Sequence, residues 1–310
     1  MPSTTQEMDI PPLTSQEKEV AETLKQDVYA LANDIGERNL HRTGSLNLAS
    51  EWIEKRLREL GYRPEKHRYT ISSGVHSGRE SVNLIAEVRG NSTPDKVVII
   101  GAHYDSVIHS PGANDNASAV AALLSLAGKF NNNPLPNTVR FLFFANEEPP
   151  FFHSEDMGSY AYAIAISNID ENVTGMIALD GLGFYSQEEN SQRYPVPGIG
   201  LAYPKKANFI GFVTRLSDRK FMNKALNAFR ETASIPSEGA ALPGFIPGVY
   251  WSDHWSFWQH DIQALLVTDT LLYRDPYYHT PNDTPERLDY EMMARVTVGL
   301  QSVIRELASN

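Results

Sequence analysis

The chain has 310 residues, 41% hydrophobic and 21% charged, enough to bury the core of one large domain or two small ones. Its formal charge of −11, from 38 acidic and 27 basic residues, supplies no basic stripe and argues against nucleic acid or an anionic membrane surface as a partner. With no cysteine, any metal must be held by histidine and carboxylate, a donor set that suits zinc, manganese or cobalt.

The start, MPSTTQEMDIPPLTSQEKEV, has neither a basic n-region nor an apolar h-region. No run of about 18 apolar residues follows. The sequence therefore predicts no signal peptide and no membrane span; it leaves location open, since a secreted or periplasmic protein trimmed at its N-terminus would read the same way. Residues 1–15 read as a flexible lead-in. Val20, Leu24, Val28, Leu31 and Ile35 then recur at spacings of three and four, the face of a helix, and Trp52, Ile53, Leu57 and Leu60 mark a second helix stopped by Gly61.

Beyond Gly61 the period changes. SVNLIAEVRG, KVVIIGAHYDS, TVRFLFFANEE, VTGMIALDGLG, ANFIGFVTR and QALLVTD are short apolar or β-branched runs bounded by Gly, Pro, Asn or Asp, and they read as strands. Helical patterns lie between and after them: ASAVAALLSLAGKF, MGSYAYAIAIS, SDRKFMNKALNAFRETA and DYEMMARVTVGLQSVIREL. Alternating strands and helices predict a single domain over 1–310, an α/β fold built as a three-layer α/β/α sandwich around a mostly parallel, mixed central sheet. Two Gly- and Pro-rich insertions, roughly 184 to 206 and 234 to 256, exceed ordinary connection lengths and are expected to be rim loops.

In such a sheet ligands bind at the carboxyl ends of the strands. VVIIGA runs into His103 and Asp105, VRFLFFAN into Glu147 and Glu148, and GMIAL into Asp180. One polar residue at a strand end is ordinary, because the chain is surfacing there. Five at matching ends, two of them adjacent glutamates, would repel strongly unless cations neutralised them. That chemistry suits hydrolysis with two divalent ions about 3.5–4 Å apart under a bridging carboxylate, with a further carboxylate free to move the proton of the attacking water. The pair Glu147-Glu148 can divide those roles.

The series GAHYDS…GANDNASA, NEE, ALDG and YYHTPNDTPERLD, in this order, resembles the co-catalytic zinc aminopeptidase family over roughly residues 80 to 305. Its members include bacterial leucyl-type aminopeptidases, glutamate carboxypeptidases, glutaminyl cyclases and the inert transferrin receptor. The resemblance implies two zinc ions, with manganese or cobalt as substitutes. His103 and Asp180 would be terminal ligands of one ion, Glu148 and His279 of the other, and Asp115 the bridge. It also implies a cis peptide at Asp115-Asn116, Glu147 as general base, and Asp105 as the carboxylate orienting the His103 ring.

Near the pocket, Tyr250 is the candidate donor to the substrate carbonyl, and Phe151, Phe152, Tyr185, Tyr250 and Trp251 are candidate pocket walls or, equally, loop aromatics packed against the sheet. Asp253 and His254 of SDHWSF stand either as hydrogen-bonding supports or, with Ser252 or Asp253, as a plain helix N-cap. His109, in the loop between Asp105 and Asp115, reads as a solvated loop residue or else a substrate-side group, and His41, His67, His76, His153 and His260 read as surface. The implied function is a zinc aminopeptidase acting on peptide or aminoacyl substrates. A single-zinc glutaminyl cyclase and a non-catalytic binding module of the same fold stay open. So does a carboxypeptidase, although Arg193, Arg215, Arg274 and Arg287 are too scattered to form the arginine cluster that such an enzyme would want. Nothing indicates the oligomeric state.

Overall fold

The computed structural model describes residues 10–309. Among these residues the strands are β1 (Glu65–Thr70), β2 (Glu80–Val88), β3 (Thr93–His103), β4 (Asn137–Phe144), β5 (Val173–Leu179), β6 (Ile210–Arg215), β7 (Ser237–Leu242) and β8 (Ala264–Thr268). They form one mixed sheet in the order β1-β2-β4-β3-β5-β8-β6-β7. The four middle strands, β4, β3, β5 and β8, are parallel; β2 and β6 run antiparallel to them at either side.

The middle strands are apolar on both faces because helices cover both. Val98, Ile100 and Ala102 of β3 point into the larger core, under α1 (Ser15–Tyr29), α2 (Ser45–Glu59), α3 (Ala119–Phe130), α5 (Arg219–Arg230) and α7 (Tyr290–Ala308). Val97 and Ile99 alternate to the other face, under α4 (Gly158–Ser167) and α6 (His254–Trp258). Alanines 119, 121, 122 and 127 of α3 are fully buried, which lets this helix lie close on the strands behind Asp115.

The second face is covered only in part. Toward β6 and β7, on the side of Val213 and Leu242, residues of the two insertions face the sheet. The segment 234–256, expected to be loop throughout, contributes β7, whose Ser237–Leu242 pairs in parallel with Ile210–Arg215. Its sequence SEGAAL has too few branched side chains to announce a strand. β1, EKHRYT, was also not expected; it is an edge strand and largely exposed, so its side chains are polar.

Residues 10–14, expected to belong to a flexible lead-in, are held against the helices that follow. Thr14 caps α1, its hydroxyl accepting from the Glu17 N–H at 3.2 Å while the Glu17 carboxylate accepts from the Thr14 N–H at 2.7 Å. Ile10 packs on the core and the Pro11 carbonyl accepts from Arg295 at 2.6 Å. The rest of the lead-in, 1–9, lies outside the described residues.

Candidate metal centre

Three neighbouring parallel strands release their ends at one edge of the sheet. β3 closes on His103, β4 is followed by Ala145-Asn146 and then Glu147-Glu148, and β5 is followed directly by Asp180. Asp115 arrives from the turn between β3 and α3, just before a cis peptide to Asn116, and His279 from the loop that precedes α7.

Two groups form around Asp115. His103 Nε2 is 3.3 Å from Asp115 Oδ1 and 3.4 Å from Asp180 Oδ1. On the other side His279 Nε2 is 3.0 Å from Asp115 Oδ2 and 3.2 Å from Glu148 Oε2. Asp115 therefore turns one oxygen to each group. Donor atoms held about 2.0–2.1 Å from a tetrahedral ion sit roughly 3.3 Å apart. That spacing would suit two cages sharing one carboxylate, and within each group the donor atoms all fall within 4.8 Å of one another.

Charge supports the same fit. Asp105, Asp115, Glu147, Glu148, Asp180 and Asp253 are each at most 6% exposed, and Glu148 Oε1 is buried with no hydrogen-bond partner. Burial followed by the Asp115 charge raises the Glu148 carboxyl to about 7, and burial raises Asp180. Burial also lifts Glu147 well above the carboxylate range, with the charges of Glu148, Asp180 and Asp253 adding to it. For the imidazoles burial works the other way but is outweighed. Asp180, Asp105 and Asp115 push His103 well up, and contacts with Asp115 and Glu148 bring His279 to about 11. So many buried anions sharing so few protons is what a cation-binding cavity looks like before its ions are counted in.

The main chain is tied down around these groups. Asp105 accepts the N–H groups of both Glu147, at 3.1 Å, and Glu148, at 3.0 Å, and its Oδ1 lies 3.4 Å from His103 Nδ1. Asn146, in the left-handed region at φ 58°, donates to Tyr69 and Ser81 and so turns both glutamates toward Asp105. Asp283, which the sequence reading passed over, accepts from the N–H groups of Asn114 at 2.7 Å and Asp115 at 3.1 Å.

The profile of Peptidase family M28 matches residues 83–304, a span that contains His103, Asp105, Asp115, Glu147, Glu148, Asp180 and His279. This chain belongs to peptidase family M28. It is similar to the uncharacterized protein YfbL of Escherichia coli strain K12, 35% identical over 291 residues, covering 91% of this chain and 87% of that one. It is also similar to the probable aminopeptidase YDR415C of Saccharomyces cerevisiae, 26% identical over 275 residues, covering 84% of this chain and 66% of that one. Of solved structures, BSAP, a zinc aminopeptidase from Bacillus subtilis, matches with a TM-score of 0.74 at 16% identity over 94% of this chain and 95% of the other; that likeness carries the fold alone.

In this M28 peptidase the acidic cluster opens into a cavity of about 360 Å³ over β8, β6 and β7. Phe152, Tyr194, Phe209, Val213, Trp251 and Leu266 are among its walls, and Asp115, Glu147, Glu148, Asp180 and His279 line it at the cluster. Of the residues expected near substrate, Phe152 and Trp251 line it, whereas Phe151, Tyr185, Tyr250, Asp253 and His254 do not. Tyr250 packs its ring 5.0 Å from His153, whose Nε2 donates to the Tyr250 carbonyl at 3.0 Å; its neighbour Trp251 takes the place at the wall. Phe151 is buried against His76, and again the neighbour, Phe152, faces the cavity. Asp253 sits at the N-cap position of α6 with no capping bond, and neither Asp253 nor Ser252 serves as a side-chain cap. Both Asp253 carboxylate oxygens are buried without a partner, while His254 Nε2 lies 2.8 Å from the Val249 carbonyl.

Tyr278, too, was not singled out from the sequence. Its ring stacks on His279 with centroids 3.8 Å apart, and it lines the cavity beside the carboxylates. Burial first, then the charges of Asp115, Glu148, Asp180 and Glu147, hold its phenol well above the usual range, so it stays a donor. YYHTPND was already singled out for its histidine; the tyrosine next to it was the available signal. Of the histidines expected at the surface, His76 is buried, His67, His153 and His260 are half-buried, and His41 is exposed, as is His109.

Proposed function

We propose that this M28 peptidase is a two-zinc aminopeptidase that removes N-terminal residues bearing large apolar side chains. The observation that carries the reading is Asp115 offering one oxygen to each of two histidine-carboxylate groups, with Glu147 outside both and facing an apolar cavity. The names of relatives, a probable aminopeptidase and a zinc aminopeptidase, support it.

His103, Asp180 and Asp115 would hold one ion, and Glu148, His279 and Asp115 the other. What paired zinc ions supply in such a cage is Lewis-acid polarisation of a carbonyl and a water acidic enough to attack near neutral pH. Glu147 takes the proton of the attacking water as its oxygen bonds to the carbonyl carbon, then delivers that proton to the nitrogen as the C–N bond breaks. Tyr278 donates to the carbonyl oxygen as it gains charge. The anionic rim favours the substrate's free ammonium group, and the apolar cavity takes its side chain.

The test is a set of aminoacyl anilides run beside their N-acetylated forms, with zinc measured on the same protein. Leucyl or phenylalanyl anilide should be cleaved, acetylation should abolish cleavage, and two ions per chain should be present. Undiminished hydrolysis of the acetylated substrate, or conversion of a glutaminyl peptide to its cyclised product with one ion bound, would overturn the reading.

A further inference from the structure

Arg38 lies outside the matched span 83–304 and in none of the motifs, in the connection between α1 and α2. It is fully buried. Every hydrogen bond its guanidinium makes goes to a main-chain carbonyl: Nε to Tyr104 at 2.9 Å, Nη1 to Leu31, Gly36 and Pro111 at 3.3, 3.0 and 2.5 Å, and Nη2 to Gly112 at 2.8 Å. Its own peptide is tied to the same loop, the Arg38 N–H donating to Ser106 Oγ at 3.0 Å and the Ser106 N–H to the Arg38 carbonyl at 2.8 Å.

Those carbonyls bracket one stretch of chain. Tyr104 follows His103 immediately, and Pro111 and Gly112 precede Asp115 by three or four residues. One guanidinium therefore grips both ends of the loop that carries a terminal ligand at its start and the bridging ligand at its end. Gly112, at φ 61°, belongs to the same fit: a Cβ there would lie 2.4 Å from the Asp115 carbonyl oxygen and 2.9 Å from Arg38 Nη2. No carboxylate among the described residues lies within ion-pair distance of the guanidinium, so its charge is not spent on one partner. It is felt across the gap by Asp283, Asp105, Asp115 and Glu148. Burial lowers its pKa to about 10, which leaves it charged at neutral pH.

On this basis, and resting on the metal-centre reading, we propose that Arg38 is a positioning residue. Its guanidinium closes the 104–112 loop so that His103 and Asp115 meet at one metal position, and its charge offsets the carboxylates from behind. Lysine cannot replace it, because a single ammonium has three donors and no planar fork with which to reach carbonyls on both sides of the loop.

The experiment measures zinc affinity by competition with a chromophoric chelator, on the full chain, for wild type, Arg38→Lys and Arg295→Lys, with the urea midpoint of each. Arg295 is the control: it is also buried, bonds to Ser234 and Pro11, and belongs to α7, away from the cluster. The expected result is a loss of about 10–100-fold in zinc affinity for Arg38→Lys, the range for partners that orient metal ligands. Arg295→Lys should bind zinc like wild type however much it is destabilised. Should Arg38→Lys not fold, Ser106→Ala removes one tie of the same clamp and is expected to weaken zinc binding several-fold. Wild-type zinc affinity in Arg38→Lys, or in Ser106→Ala where that variant stands in, overturns the proposal. A wild-type protein that binds no zinc overturns the metal-centre reading itself, a different result.

Discussion

Glu147 and Glu148 are neighbours in sequence with different surroundings. Glu148 Oε2 lies 3.2 Å from His279 and inside a donor group, whereas Glu147 belongs to neither group and faces the cavity. Glu147→Gln keeps the shape and removes the base. Turnover should fall by about 10²–10⁴-fold with zinc content unchanged; loss of zinc on elemental analysis would mean that the two glutamates have been assigned the wrong way round. His254 gives a prediction about pH. Burial depresses its pKa to about 4, with the Val249 carbonyl the main opposing influence. The unfolded chain binds its proton near 6.5. Between those values the unfolded state holds more protons, so stability is present above pH 6.5 and is lost as pH falls toward 4. At pH 5 the loss attributable to His254 is roughly 2 kcal/mol, from 1.5 pH units at about 1.36 kcal/mol each. Urea titrations at pH 7 and pH 5 should show that much less pH dependence in His254→Gln than in wild type, and equal slopes would refute the assignment.

At the scale of elements, α7 lies across α5 with Gly299 at the crossing, where an added Cβ would sit 2.6 Å from Phe229 Cε2 and 2.7 Å from Ala233 Cβ. Gly299→Val should therefore cost about 1–3 kcal/mol by overpacking, against a gain in helix propensity of a few tenths. A urea midpoint at or above wild type would show that the helices can part without penalty. Such close approaches are invisible in sequence, and the same division runs through the fold. The middle strands and long helices are legible because burial on one or both faces writes itself into apolar periodicity. β1 and β7 are not, the first an exposed edge and the second a run of small residues. The centre divides in the same way. The clustering of His103, Asp115, Glu147, Glu148, Asp180 and His279 is legible because charged groups at the ends of apolar strands are conspicuous. Tyr278 is not, and although Phe151, Phe152, Tyr250 and Trp251 are legible as candidate walls, which of each adjacent pair faces the cavity depends on loop backbone. Arg38 is hidden for another reason: its partners are carbonyls, which any residue supplies.

In the whole molecule, the groups around Asp115 come from chain positions as far apart as 103 and 279, and they join the edge of the sheet to the loop before the last helix. An ion held there exists only when the chain is folded, so binding is linked to folding. Each site should add about 2.7 kcal/mol at a free zinc concentration of 100 times its dissociation constant, and about 4.1 kcal/mol at 1,000 times. Stripping zinc with a chelator should lower the urea midpoint of wild type accordingly, and restoring zinc should reverse it. Because Asp115 belongs to both groups, Asp115→Ala should lose both contributions at once, shrinking the zinc-dependent difference to below about 1 kcal/mol, whereas Asp180→Ala, which touches one group, should keep a part of it. Equal zinc stabilisation in Asp115→Ala and wild type would place the stabilising ion elsewhere, and an equal loss in both variants would mean that the two positions fill only together.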